Sequence, residues 1–129
     1  MAWVDIVTLL ALVQFFLIGM MVGWARGKYG VAAPATTGHP IFERHYRVQM
    51  NTVETLLVFL PALWLTAKYW PPVYAAILGA VYLVGRTLYY YAYIEDPKKR
   101  TAGFSLSMGP ALLLVLAALA GAVRALFHG

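Results

Sequence analysis

The sequence contains no cysteine. That excludes a disulfide framework, a thiolate metal site and a cysteine nucleophile, and thiols say nothing about redox compartment. Charge is scarce as well. Asp, Glu, Lys and Arg make up 12% of the 129 residues while hydrophobic residues reach 62%, against about 25% and 45–50% in a soluble domain. A soluble fold of this length has too little interior to hide so much apolar surface. A disordered chain would be poor in aliphatic and aromatic residues. Acids are scarcest, five against ten Lys and Arg, for a net charge of +5. In so apolar a chain that excess reads as membrane orientation rather than nucleic-acid binding. Glycine-rich phosphate loops and hydroxyl-nucleophile signatures are missing, as is any tandem repeat. His39, His45 and His128 lack metal-ligand spacing, so they are expected to be solvated or loop histidines, and no metal is expected.

What the chain does have is long apolar runs, which predict an all-α integral membrane protein. A helix needs about 20 mostly apolar residues to cross the bilayer core. Four candidates make a single four-helix transmembrane domain, at about 3–25, 48–70, 73–93 and 104–127. The first is expected to be retained as a span, because its start is acidic, its apolar stretch is long and no small-residue cleavage site follows. Pro61 is expected to kink the second span, and Pro71-Pro72 turns the chain into the third. Trp3, Trp24, Trp64, Tyr69 and Trp70 lie mostly near span ends, where amphipathic rings favour the interface. Small residues four apart (Gly19/Gly23, Ala117/Gly121 and Ala118/Ala122) suit close helix packing in lipid. Four spans put both termini on one side. The first loop, read as Arg26 to Arg47, carries Arg26, Lys28, Arg44 and Arg47, and the third carries Lys98, Lys99 and Arg100. Only Lys68 and Arg124 fall on the other side. The basic excess assigns these two loops to the cytoplasm and the termini to the periplasm or lumen.

Polar residues inside spans need a reason, since each ionisable group there costs about 2.5–3.5 kcal/mol on insertion scales. Arg47, Asn51 and Glu54 follow i, i+4 and i+7 and share about 60° of helical arc, with Gln49 pointing nearly opposite. Tyr82, Arg86, Tyr89 and Tyr93 make a similar stripe on the third span. Both lead toward the end where Arg100 follows the third helix. Two polar stripes meeting at one end describe a cavity for an anionic, hydrogen-bonding guest. Simpler readings stand beside this one. Arg26, Arg44 and Arg47 would serve as snorkelling interfacial anchors, and Glu54 with Arg86 would serve as a structural ion pair between spans.

The run Phe42-Glu43-Arg44-His45-Tyr46-Arg47-Val48-Gln49-Met50-Asn51-Thr52-Val53-Glu54, after Thr36-Thr37-Gly38-His39-Pro40, resembles the hallmark E-R-x-x-R-x-Q-x-N-x-x-E of the MAPEG family, the membrane-associated proteins in eicosanoid and glutathione metabolism. The resemblance continues through Gly85-Arg86-Thr87-Leu88-Tyr89, Tyr93 and Arg100, covers nearly the whole chain, and is nearest the microsomal glutathione transferase and leukotriene-C synthase branches.

That resemblance implies a four-helix bundle assembling as a homotrimer, with glutathione as co-substrate bound between subunits near the cytosolic side. By matched position, Arg47, Asn51, Glu54, Tyr89 and Tyr93 would contact glutathione from one subunit, Arg26 and Gln49 would reach it from the neighbour, and Arg100 would activate the thiol. Arg86 is read as a structural intramembrane charge. The second substrate would be a lipophilic electrophile drawn from membrane lipid, conjugated in a transferase reaction or reduced in a peroxidase side reaction. The resemblance also allows a non-catalytic lipid-binding protein that presents substrate to a partner. Thr55 stands where some relatives have tyrosine, and Glu95 and Asp96 would oppose thiolate formation if they faced the thiol. A chain this compact suits a bacterial inner membrane.

Overall fold

A computed structural model describes residues 1–128. It contains four long helices: α1 (Ala2–Tyr29), α2 (Pro40–Tyr69), α3 (Pro72–Glu95) and α4 (Thr101–His128). A single 3₁₀ turn, Pro97–Lys99, joins α3 to α4. All four helices are long and apolar enough to cross a membrane.

Local chemistry sets the ends. Gly30 closes α1 in the left-handed region at φ 69°, a conformation that costs glycine nothing. Pro40 opens α2 at its first turn, where its missing N–H is no loss. His39 caps the same end, its Nδ1 accepting from the Ile41 N–H at 3.1 Å. Glu43 reaches back to accept from the Gly38 N–H at 3.1 Å. The second helix therefore begins eight residues before the expected 48, and the first loop shrinks from the expected 26–47 to the stretch between Tyr29 and Pro40. Hydropathy marks only the lipid-covered part of a helix, and α2 at 30 residues is about 45 Å long, beyond the roughly 30 Å hydrocarbon core. The helix runs through Pro61 without interruption.

The packing is inside-out relative to a soluble protein. Leu9, Phe16, Leu57, Leu112 and Leu126 are exposed, while Ala11, Ala25, Ala75, Ala111 and Ala118 are buried. Small residues between helices and large apolar ones outside are what packing in lipid favours. The middle of the core is larger: Phe59 and Tyr82 stack at 3.8 Å between ring centres, with Leu63 and Leu114 fully buried nearby. The tyrosine at the start of the predicted α3 stripe is thus core rather than site. At one end, Trp70 Nε1–H donates to the Ala117 carbonyl at 2.7 Å. At the other, Arg44 reaches the end of α3, so the first and third connections share that end.

Candidate functional site

At the end holding those two connections, α2, α3 and the start of α4 enclose a cavity of about 260 Å³. Its lining is Arg47, Asn51, Tyr89, Tyr93, Arg100 and Phe104. The two stripes expected from the sequence converge here, and Arg100, at the junction of the 3₁₀ turn and α4, completes the wall. Two arginines, an amide and two phenols make up the polar lining, and no carboxylate is among it. Such a surface attracts an anion that also offers hydrogen-bond acceptors. Arg100 Nη1–H donates to the Pro97 carbonyl at 2.9 Å, which folds the arginine back over its own turn.

Beneath the cavity lies Arg86, fully buried. Its Nη1 donates to Asn51 Oδ1 at 2.7 Å and to Thr52 Oγ1 at 3.1 Å, and its Nη2 donates to Ser107 Oγ at 2.8 Å. Its guanidinium carbon sits 4.3 Å from the centre of the Tyr89 ring. The Thr52 hydroxyl donates to the Val48 carbonyl, and that of Ser107 to the Gly103 and Phe104 carbonyls. Both hydroxyls therefore turn lone pairs toward the cation. The expected pairing of Arg86 with Glu54 is absent. The ion pair found among the described residues is Lys99–Glu95, and Arg86 is held by neutral acceptors and a ring face.

The remaining site residues do not join this cavity within one chain. Glu54, midway along α2, is exposed on the outer face. Gln49 packs its amide beside Gly19 of α1. Arg26 lies across the Phe42 ring at 4.7 Å and donates to the Ala35 carbonyl at 2.7 Å, holding the first connection. Thr52, Ser107 and Phe104 were not singled out by the sequence reading. The signal for the two hydroxyls was available, because a buried arginine with no acid in register demands lone pairs from polar residues in neighbouring spans.

The MAPEG family model matches residues 5–120. The chain belongs to the MAPEG family. It is 46% identical over 110 residues to human microsomal glutathione S-transferase 2, covering 85% of this chain and 75% of that protein. It is 39% identical over 111 residues to leukotriene C4 synthase of Cavia porcellus, covering 86% of this chain and 73% of that protein. An uncharacterized protein of Synechocystis sp. is 50% identical over 117 residues, covering 91% and 85%.

Two acids stand close in sequence to Arg100 in this MAPEG chain, yet neither lines the cavity. The Glu95 carboxylate accepts from Lys99 Nζ at 2.7 Å, and that hydrogen bond, with the carboxylate's charge, raises the lysine's pKa. The Asp96 carboxylate accepts from the Lys98 N–H at 3.0 Å and caps the 3₁₀ turn. Thr55 donates to the Asn51 carbonyl at 2.8 Å and is buried, so it adds no hydroxyl to the lining. His45 corrects the reading of the histidines as solvated. It is buried, with Nδ1 3.3 Å from the Tyr90 hydroxyl and its ring against Trp24.

Arg44 fixes the turn that carries Arg100. Its Nη1 donates to the Ile94 and Glu95 carbonyls at 2.9 and 3.1 Å, satisfying acceptors that the end of α3 leaves open. Arg44→Ala is expected to cost about 1.5–3 kcal/mol, the range for hydrogen bonds that involve a charged group. It is also expected to speed amide exchange across residues 96–100 selectively. Hydrogen–deuterium exchange read by mass spectrometry checks this, and unchanged exchange there would refute the clamp.

Proposed function

We propose that this MAPEG chain is a membrane-embedded glutathione transferase that activates the glutathione thiol for attack on lipophilic electrophiles. The observation that carries the reading is the acid-free cavity, in which Arg47 and Arg100 face Asn51, Tyr89 and Tyr93. Glutathione brings two carboxylates, an ammonium, two amides and a thiol. Planar guanidinium forks bind carboxylates in pairs. The Tyr89 and Tyr93 hydroxyls and the Asn51 amide suit the remaining acceptors. The similarity to microsomal glutathione S-transferase 2 along most of the chain adds independent support.

The chemistry is addition by a thiolate. Arg100 supplies positive charge beside the sulfur, so the S–H proton leaves to solvent and the anion is stabilised. The sulfur lone pair then forms a C–S bond to an electrophilic carbon. With an aryl halide the halide departs with the electron pair of the broken bond. With a hydroperoxide the thiolate would instead form an S–O bond to the terminal oxygen as the O–O bond breaks, the alkoxide leaving with the electron pair to be protonated to the alcohol. A second glutathione would then displace water from the sulfenic acid to give the disulfide, the peroxidase variant of the same site.

The working unit in this proposal is a homotrimer, with Arg26 and Gln49 reaching the tripeptide from the adjacent protomer and Glu54 meeting its ammonium. Two features support a shared site. The cavity of one chain falls below the roughly 300–1,000 Å³ of most small-molecule pockets. Glu54 would otherwise face acyl chains at a cost of about 2.5–3.5 kcal/mol. The basic residues gathered at this end, Arg26 and Lys28 on α1, Arg44 and Arg47 on α2 and Lys98, Lys99 and Arg100 after α3, support a cytoplasmic side for it, with the termini on the periplasmic side of a bacterial inner membrane.

In detergent, glutathione is expected to raise the melting temperature, oxidised glutathione to do so far less, and a lipophilic aryl halide to be conjugated. A protein neither stabilised by glutathione nor active on the halide would defeat the reading. One observation favours a second reading, a lipid-binding protein. Between α1 and α3 lies a largely apolar recess of about 670 Å³, lined by Leu10, Val13, Leu17 and Leu83 with the polar Gln14, Arg86 and Thr87 also in its wall. That alternative predicts stabilisation by lipid regardless of glutathione and indifference to Arg100 substitution.

A further inference from the structure

Arginine offers five N–H donors and no acceptor. Whatever group of Asn51 faces Arg86 must therefore be the carbonyl oxygen, and Oδ1 lies 2.7 Å from Nη1. The consequence passes through the amide to its other side. With Oδ1 engaged by Arg86, the Nδ2–H₂ group is the part of Asn51 left free to meet a guest in the cavity it lines. A free asparagine can flip to present either end; this one has its oxygen tied to Arg86, which leaves the N–H₂ as its free group.

We infer that Arg86 is a positioning residue for the glutathione site, acting through Asn51 by fixing which end of its amide meets the guest. The inference rests on the proposed function and deepens it. Asn51 then recognises an acceptor, a carboxylate or peptide carbonyl oxygen of the tripeptide, and discriminates against an N–H at that place. Arg86 is not among the residues that line this cavity. It is fully buried, and its own aim is fixed from three directions: Thr52 on α2, Ser107 on α4, and the Tyr89 ring on its own helix. The arrangement also explains why a fully buried cation is tolerated without a carboxylate. A carboxylate at this depth would satisfy Arg86 more strongly but would compete with Asn51 and cancel charge beside a site built for anions.

The test is a double-mutant cycle on glutathione affinity in the detergent-solubilised full chain, read as KM for glutathione against kcat, with melting temperature recorded for every variant. Arg86→Met keeps bulk and removes the donor. It is expected to raise KM for glutathione about tenfold, the equivalent of one good hydrogen bond, with a much smaller effect on kcat. Asn51→Ala is expected to raise KM by a similar factor, and Arg86→Met added to Asn51→Ala to raise it no further. Arg86→Lys, which can still donate to Oδ1, is expected to recover most of the affinity even where its melting temperature is no better than that of Arg86→Met. Affinity that follows melting temperature across these variants, or factors that multiply in the double variant, would overturn the inference and leave Arg86 a structural residue. Should Arg86→Met not fold, Ser107→Ala removes an anchor of Arg86 without touching the cavity lining. It is expected to raise KM about threefold, an effect that disappears in the Asn51→Ala background, and an unchanged KM would overturn the inference equally. Wild-type protein that shows no saturable dependence on glutathione at all would instead bring down the proposed function, and this inference with it.

Discussion

Replacing Arg100 with alanine is expected to remove most of the thiolate absorbance of bound glutathione at neutral pH. A free thiol titrates near pH 8.5, so about 3% is ionised at pH 7. A neighbouring cation lowers such a pKa by about one to three units, so the thiolate fraction in the wild type is at most about thirty-fold higher. Turnover falls by a different factor, because a thiolate of lower pKa is a weaker nucleophile and returns part of that gain. Ionisation alone therefore accounts for only a few-fold loss at pH 7. A deficit of tenfold or more measures what Arg100 contributes by holding the sulfur in line. The two contributions separate by pH. The ionisation deficit closes as pH rises above about 9, where the thiol is deprotonated without help, and the positioning deficit persists. Ultraviolet difference spectra and a pH–rate profile for Arg100→Ala check both. A variant that retains the wild-type thiolate band would move the activating role elsewhere, with Arg47 the next cation in the lining.

Much of this was legible because apolar spans make polar residues conspicuous. Arg47 and Asn51 on α2, and Tyr89 and Tyr93 on α3, stand out from their surroundings at helical spacing, and the structure brings them together. The start of α2 was not legible from hydropathy. Residues 40–47 form about two turns of helix whose signals are local, with Pro40 at the first position and His39 and Glu43 bonding around it. The partner of Arg86 was misread for a different reason. Register within a helix says which side chains share a face, but not which helix that face meets. The acceptors on Thr52 and Ser107 come from two other helices. Glu54 shows the limit of a 60° stripe. It shares an arc with Arg47 and Asn51, yet lies on the exposed edge while Asn51 turns inward.

Where α3 meets α4, the site depends on the absence of two side chains. A methyl group at Gly103 would fall on the backbone N and Cα of Tyr89, and one at Gly85 on the backbone of Leu106 and Ser107. Backbone atoms cannot swing aside as a side chain can, so the helices would have to separate. Gly103→Ala and Gly85→Ala are each expected to cost about 3 kcal/mol or more, at or beyond the upper end for overpacking. The damage reaches the site directly. Gly103 lies three residues after Arg100 and one before Phe104, both in the cavity wall, and Gly85 precedes Arg86. Spreading this seam draws Ser107 away from Arg86 and Arg100 away from Tyr89. Gly23→Ala and Gly109→Ala are the matched controls, since nothing lies within 4 Å of a methyl group at either position. There the higher helix propensity of alanine makes the change neutral or favourable by up to about 1 kcal/mol. Thermal melting in detergent, with and without glutathione, separates the two classes. Variants at Gly85 and Gly103 should lose both stability and the glutathione response, while the controls keep both. A Gly103→Ala protein that melts like the wild type and still answers to glutathione would mean that the α3–α4 contact is looser than described, and that the wall carrying Arg100 is set by something other than this crossing.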